Sequence, residues 1–122
     1  MQFDFGADRP IFLQIAEGIE DAILSGAFEE EGQIPSITEF SVHYKINPAT
    51  ANKGINLLTE KGIVYKKRGV GMFVSKGAVE KLRGERREQF FENYIESLAH
   101  EAKRLGITVA EVVRMIERSF EK

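Results

Sequence analysis

The chain has no cysteine and no tryptophan, and only three prolines and two histidines among its 122 residues. Without cysteine there is no disulfide framework and no thiolate metal site, so stability must come from packing within or between chains. His43 and His100 lie in different segments with no acidic pair beside either, which is too little for acid-base catalysis or for a metal centre. No run approaches the roughly 18 apolar residues of a membrane helix, and Met1-Gln2-Phe3-Asp4 lacks the basic and apolar regions of a signal peptide. These absences lead us to expect a cytoplasmic, non-enzymatic protein without metal, cofactor or membrane partner.

The net charge of -2 conceals a segmental swing. Residues 1–42 carry nine acids against one base, a net of -8, whereas residues 43–76 carry seven bases against one acid, a net of +6. Residues 77–122 balance at nine against nine. A basic middle segment in an acidic chain points to one face meant for a polyanion.

Helical spacing of Phe12, Ile15, Ala16, Ile19 and Ile23 after Pro10 and before Gly26 predicts a first amphipathic helix. Phe28 to Ile34 reads as a loop, in which Glu29-Glu30-Glu31 is solvated surface without an assigned role. Ser36 and Glu39 have the spacing of a reciprocal cap, so a short second helix runs to about Tyr44. Asn47 as cap and Pro48 at the first helical position open a third helix, which Gly62 ends. Its phase turns Ala51, Ile55 and Leu58 inward and Ala49, Lys53 and Asn56 outward, with Thr50 and Asn52 on the flanks. Ile63–Lys67 and Met72–Val74 are β-prone around the turn Arg68-Gly69-Val70-Gly71, which predicts a two-stranded hairpin. The Gly69-x-Gly71 pair lacks the lysine and helix of a phosphate-cradling loop. The expected fold class is mainly α, a winged helix-turn-helix of three helices and a two-stranded β-hairpin wing over residues 1–76, followed by a two-helix dimerisation segment over 77–122.

In that arrangement the N-terminal part of the third helix meets base edges in the major groove, which places Thr50, Asn52 and Lys53 where readout occurs. Asparagine can pair bidentately with adenine and lysine can donate to guanine. Ser36 and the amides opening the second helix can donate to a phosphate. Lys66, Lys67 and Arg68 arm the wing for the DNA backbone or minor groove. Double-stranded DNA is the expected partner.

In the tail, Phe90, Phe91, Tyr94, Ile95, Leu98, Ala102 and Leu105 make one broad apolar stripe, read as interface rather than as the lining of an effector pocket. Gly106 interrupts it, Thr108 and Glu111 cap a last helix, and Val109, Val112, Val113, Ile116 and Phe120 line that helix. Two helices of about 45 residues together cannot enclose stripes this wide, so they either join a second copy, as a homodimer, or fold back on the same chain.

The landmarks Pro10-Ile11-Phe12-Leu13-Gln14-Ile15, Ile23-Leu24-Ser25-Gly26, Ile34-Pro35-Ser36, Asn47-Pro48-Ala49-Thr50 and Gly69-Val70-Gly71-Met72-Phe73-Val74, in this order, resemble the GntR family of bacterial regulators. The short tail is similar to that of the YtrA-like subfamily. The resemblance implies a dimeric DNA-binding regulator, most simply a repressor at an inverted-repeat operator, with DNA contacts at Ser36, Thr38, Asn47, Thr50, Asn52, Lys53, Arg68 and Gly69. It implies no particular effector. Three positions depart from the family pattern: Thr38 stands in place of an arginine, Ala51 of a valine and Gly54 of an alanine. The loss of a guanidinium at Thr38, with the net acidity, frames the alternative expectation of a dimeric winged-helix adaptor that binds proteins instead of reading DNA.

Overall fold

Fifteen residues of α1 (Ile11–Ser25) turn Ile15, Ala16, Ile19 and Ile23 into the core, as their spacing requires. Pro10 occupies the cap position rather than the first turn, and the chain leaves through Gly26 in the left-handed conformation at φ 87. In the computed structural model, which describes residues 1–122, α1 begins the first of two compact units, Met1–Gly84 and Glu85–Lys122. No helix is long and apolar enough to cross a membrane.

The capping box opens α2 (Ile37–Tyr44): the Glu39 amide donates to Ser36 Oγ and the Ser36 amide donates to Glu39 Oε1, both at 3.1 Å. Lys45, left-handed at φ 55, makes the turn, and Ile46 is buried behind it. Asn47 Oδ1 accepts from the Ala49 amide at 2.8 Å to cap α3 (Pro48–Glu60). Ala51, Gly54, Ile55 and Leu58 form the buried side of α3.

The expected two-stranded hairpin forms, and a short third strand joins it to make a three-stranded antiparallel sheet. The hairpin strands β2 (Val64–Lys67) and β3 (Gly71–Val74) pair Val64 with Val74 and Lys67 with Gly71. On the other side of β3 lies β1 (Gln33–Ile34), which gives the order β1-β3-β2. Two residues are too few to show an alternating pattern, so this stretch looked like the end of a loop. Its burial nevertheless alternates, with Gln33 exposed and Ile34 in the core.

The winged unit also extends past 76, where the sequence placed the boundary. Ala78 and Leu82, in the first turns of α4 (Ala78–Phe90), join the same hydrophobic cluster as Ile19, Ile55 and Val74. Across the cluster Glu20 is the one buried charged residue, and Lys61 Nζ meets its carboxylate at 2.7 Å.

In the second unit, α4 passes through a π-helical turn, Phe91–Ile95, into α5 (Glu96–Leu105). After Gly106, left-handed at φ 70, the Thr108–Glu111 capping box starts α6 (Val109–Phe120). Phe90, Phe91, Tyr94, Leu98, Val109, Val113, Ile116 and Phe120 are exposed, while Ile95 and Val112 are half-buried. Nearly all of the expected interface residues thus keep apolar surface in water within one chain.

Gly54 marks the tightest point of the winged unit. A Cβ at this position would lie 2.7 Å from the Phe12 carbonyl oxygen and 3.1 Å from two carbons of Ile15. The carbonyl belongs to helix backbone and cannot swing aside, so α3 and α1 must separate to admit a methyl group. Gly54→Ala should therefore destabilise the protein even though alanine favours helix by about 1 kcal/mol. We expect a net loss of about 1–2 kcal/mol from overpacking, read as a lower urea midpoint at unchanged slope. A raised midpoint would show that the two helices are not in close contact.

Candidate nucleic-acid interface

Because Ala51, Gly54, Ile55 and Leu58 fix the inner side of α3, its outer side follows by rotation. Asn47, Asn52, Lys53 and Asn56 are exposed and Thr50 is half-buried. Asn47 uses its Oδ1 as the helix cap, which leaves its two amide N–H groups free of that duty and held by the cap geometry. The first turn of α3 thus presents amide and hydroxyl groups on a rigid helix.

Lys53 is less free than its place on the helix suggests. Its Nζ lies 4.0 Å from the centre of the Phe12 ring on α1, within the range of a cation–π contact. At exposed sites such a contact is worth about 0.5–1 kcal/mol, enough to bias where the ammonium rests but little against a phosphate. Phe12 looked like an ordinary core residue of α1, and its periodicity gave no hint that it supports a cation.

At α2, Thr38 is exposed and Ser36 half-buried. The Ser36 amide donates to Glu39 as the reciprocal cap requires, so the Glu39 carboxylate stands at the same helix end. Ser36 Oγ accepts from Glu39, so its hydroxyl hydrogen is what it can still offer an anion.

In the wing, Val70 donates to the Lys67 carbonyl at 2.9 Å across a tight turn, with Arg68 exposed and Gly69 left-handed at φ 76. Lys67 Nζ sits 4.2 Å from the Phe73 ring centre and 6.0 Å from that of Tyr65, and these two rings stack at 6.0 Å. The wing cation is therefore also rested on aromatic carbon. Gln33 on β1 donates from Nε2 to the Val70 carbonyl at 3.0 Å and so braces the tip from a neighbouring strand. Gly71, at φ 145, leaves room for that brace, because a Cβ there would strike the Gln33 amide. Nothing in the sequence marks Gln33, since the contact spans 37 residues.

Not all seven bases of the middle segment belong to this surface. Lys61 is half-buried against Glu20, and Lys76 lies near the Glu30 carboxylate. Lys45, Lys53, Lys66, Lys67 and Arg68 are exposed. An exposed α3 tip, an α2 N-terminus and an armed and braced hairpin within one unit are equipped to hold phosphates and probe base edges.

Comparison with known proteins bears on the same residues. A family model described as "Bacterial regulatory proteins, gntR family" matches residues 12–74. The chain is similar to a GntR family transcriptional regulator from Listeria monocytogenes, with 28% identity, coverage of 95% of this chain and 98% of the other, and a TM-score of 0.77. It is also 30% identical to the HTH-type transcriptional repressor YtrA of Bacillus subtilis, over 64% of this chain and 60% of that protein. The AraR DNA-binding domain, solved in complex with an operator, is 26% identical over 62% of this chain and 93% of its own, with a TM-score of 0.52.

Removing the brace tests the wing geometry without DNA. Gln33→Ala should leave stability within about 1.5 kcal/mol, the net worth of one hydrogen bond, while amide exchange at residues 68–71 quickens. Unchanged exchange there would mean that the turn holds its own shape.

Proposed function

Since the chain belongs to the GntR family of bacterial regulatory proteins and carries that family's DNA-binding domain, we propose that it is a homodimeric repressor of an inverted-repeat operator. The observation that carries this reading is the division of α3 into a fully buried side and a polar outer side opening at Asn47. Asn47, Thr50, Asn52 and Lys53 would face the major groove, Ser36 and Thr38 the adjoining phosphates, and Lys67, Arg68 and Gly69 the backbone or minor groove. The operator complex of AraR and the repressor role of YtrA support double-stranded DNA as partner and repression as outcome.

Dimerisation would proceed through the tail. Phe90 is 53% exposed, Tyr94 62% and Phe120 85%, and such surface on helix faces is stabilised by burial against a second copy. Two linked reading heads related by a two-fold axis match an inverted repeat, and their linkage raises affinity through effective concentration. Occupying a promoter in this way blocks transcription.

Fluorescence anisotropy with duplexes selected from a random pool should show sequence-preferring binding that weakens as salt rises. Arg68→Ala should lower affinity for all duplexes and reduce the salt slope by about 1. Asn52→Ala should instead narrow the gap between preferred and scrambled duplexes, by about 1–3 kcal/mol. Equal and feeble binding to every duplex at physiological salt would favour the adaptor role. For the dimer, sedimentation of Leu98→Glu/Ile116→Glu should give a monomer where the parent chain gives a dimer. A parent chain that sediments as a monomer would contradict the proposal.

A further inference from the structure

Lys53 stands on the outer side of α3, and the group beneath its ammonium is a ring from another helix. The Nζ lies 4.0 Å from the centre of the Phe12 ring, where the face of the ring attracts a cation. Phe12 is half-buried in the first turn of α1, and two sets of contacts hold that turn in place. Its carbonyl oxygen marks the closest approach of α1 to α3, 2.7 Å from where a Cβ of Gly54 would stand, and Gly54 is the residue after Lys53. Gln14 fastens the same turn to the segment before it. Its side chain accepts from the Asp4 amide at 2.8 Å and donates to the Asp4 and Arg9 carbonyls, each at 2.9 Å. Ring and cation thus share a fixed base.

We propose that Phe12 is a positioning residue for base readout: its ring seats the Lys53 ammonium and makes that lysine a specificity-determining contact rather than a mobile charge. The inference rests on the DNA-binding function proposed above. A lysine carries a compact charge on a flexible four-carbon stem, so without support it reaches whichever phosphate or base edge is near and discriminates little. Over a ring the stem is confined before DNA arrives, and less rotamer freedom remains to be lost on binding. The ammonium has three N–H donors, so facing the ring leaves others for an acceptor. A ring, unlike a carboxylate, also leaves the charge it holds unneutralised. The arrangement recurs at the wing, where Lys67 rests on Phe73.

The test uses the full chain and a duplex selected from a random pool, with each base pair then changed singly and binding followed by anisotropy. For the parent chain, at least one change should cost about tenfold in affinity, and Lys53→Met should abolish that cost, which marks what Lys53 reads. Phe12→Leu keeps an apolar side chain without a π face. It should cut the penalty at the marked position by about two- to fivefold and leave the other positions as in the parent. Phe12→Tyr, which keeps the ring, should restore the penalty. In the Lys53→Met background, Phe12→Leu should change nothing at that position, because no cation is left to seat. A merely structural role would instead weaken binding to every duplex alike, with or without Lys53. That outcome, or a Lys53→Met profile identical to the parent's, overturns the inference and leaves the DNA-binding proposal standing. A parent chain without sequence preference overturns both. A second measurement needs no DNA: the ring current of Phe12 should move the Lys53 ε-methylene protons upfield in the NMR spectrum, and Phe12→Leu should return them to the ordinary lysine position. Unshifted protons in the parent chain overturn the inference at its root.

Discussion

The rest of the winged unit depends on how closely α3 lies against α1. With no side chain at Gly54, the two helix backbones approach until the Phe12 carbonyl and the Ile15 side chain fill the space a methyl group would need. That contact fixes α3 in rotation as well as in distance. Ala51, Ile55 and Leu58 have to face the core, and Asn47, Asn52 and Lys53 have to face away from it. The polar outer side of α3 is thus a consequence of apolar packing behind it. The same approach brings the Phe12 ring under the Lys53 ammonium, so the helix that supports α3 also steadies one of its cations.

Charge is distributed by a similar logic. The net charge is negative, but the acids of the first segment are largely engaged in structure. Glu20 pairs with Lys61, Glu17 with Arg9, Glu39 closes the cap of α2, and Glu30 caps α4. The exposed bases at Lys66, Lys67 and Arg68 lie together on the hairpin, and Lys67 rests on stacked aromatic rings rather than on a carboxylate. A cation held over an aromatic face keeps its charge available, whereas one in a tight ion pair is already neutralised. An acidic protein can in this way present a basic surface.

Much of this was legible in the sequence because it is local. Helical spacing located the buried sides of α1 and α3, and the pairs Ser36–Glu39 and Thr108–Glu111 form the capping boxes their spacing predicted. Asn47-Pro48 opens α3 as expected. What could not be read comes from contacts between distant segments. The third strand is two residues long, the Gln33 brace reaches across 37 residues, and the Glu30 cap reaches across 47. Glu30 looked like solvated surface because a carboxylate that caps a remote helix has no pattern of its own. Ala78 and Leu82 fell beyond the expected boundary because they belong in sequence to the helix that leads out and in packing to the core behind it.

The apolar faces of the tail and the polar side of α3 give the proposed account its two halves: the first would join two chains, and the second would read DNA. The most direct test of its central claim is mapping of backbone amide shifts on titration with a selected inverted-repeat duplex. The account predicts perturbations concentrated at Ser36–Thr38, at Asn47–Lys53 and at Lys67–Val70, with the buried residues of α1 little affected. Shifts centred elsewhere, or none at saturating duplex, would contradict it.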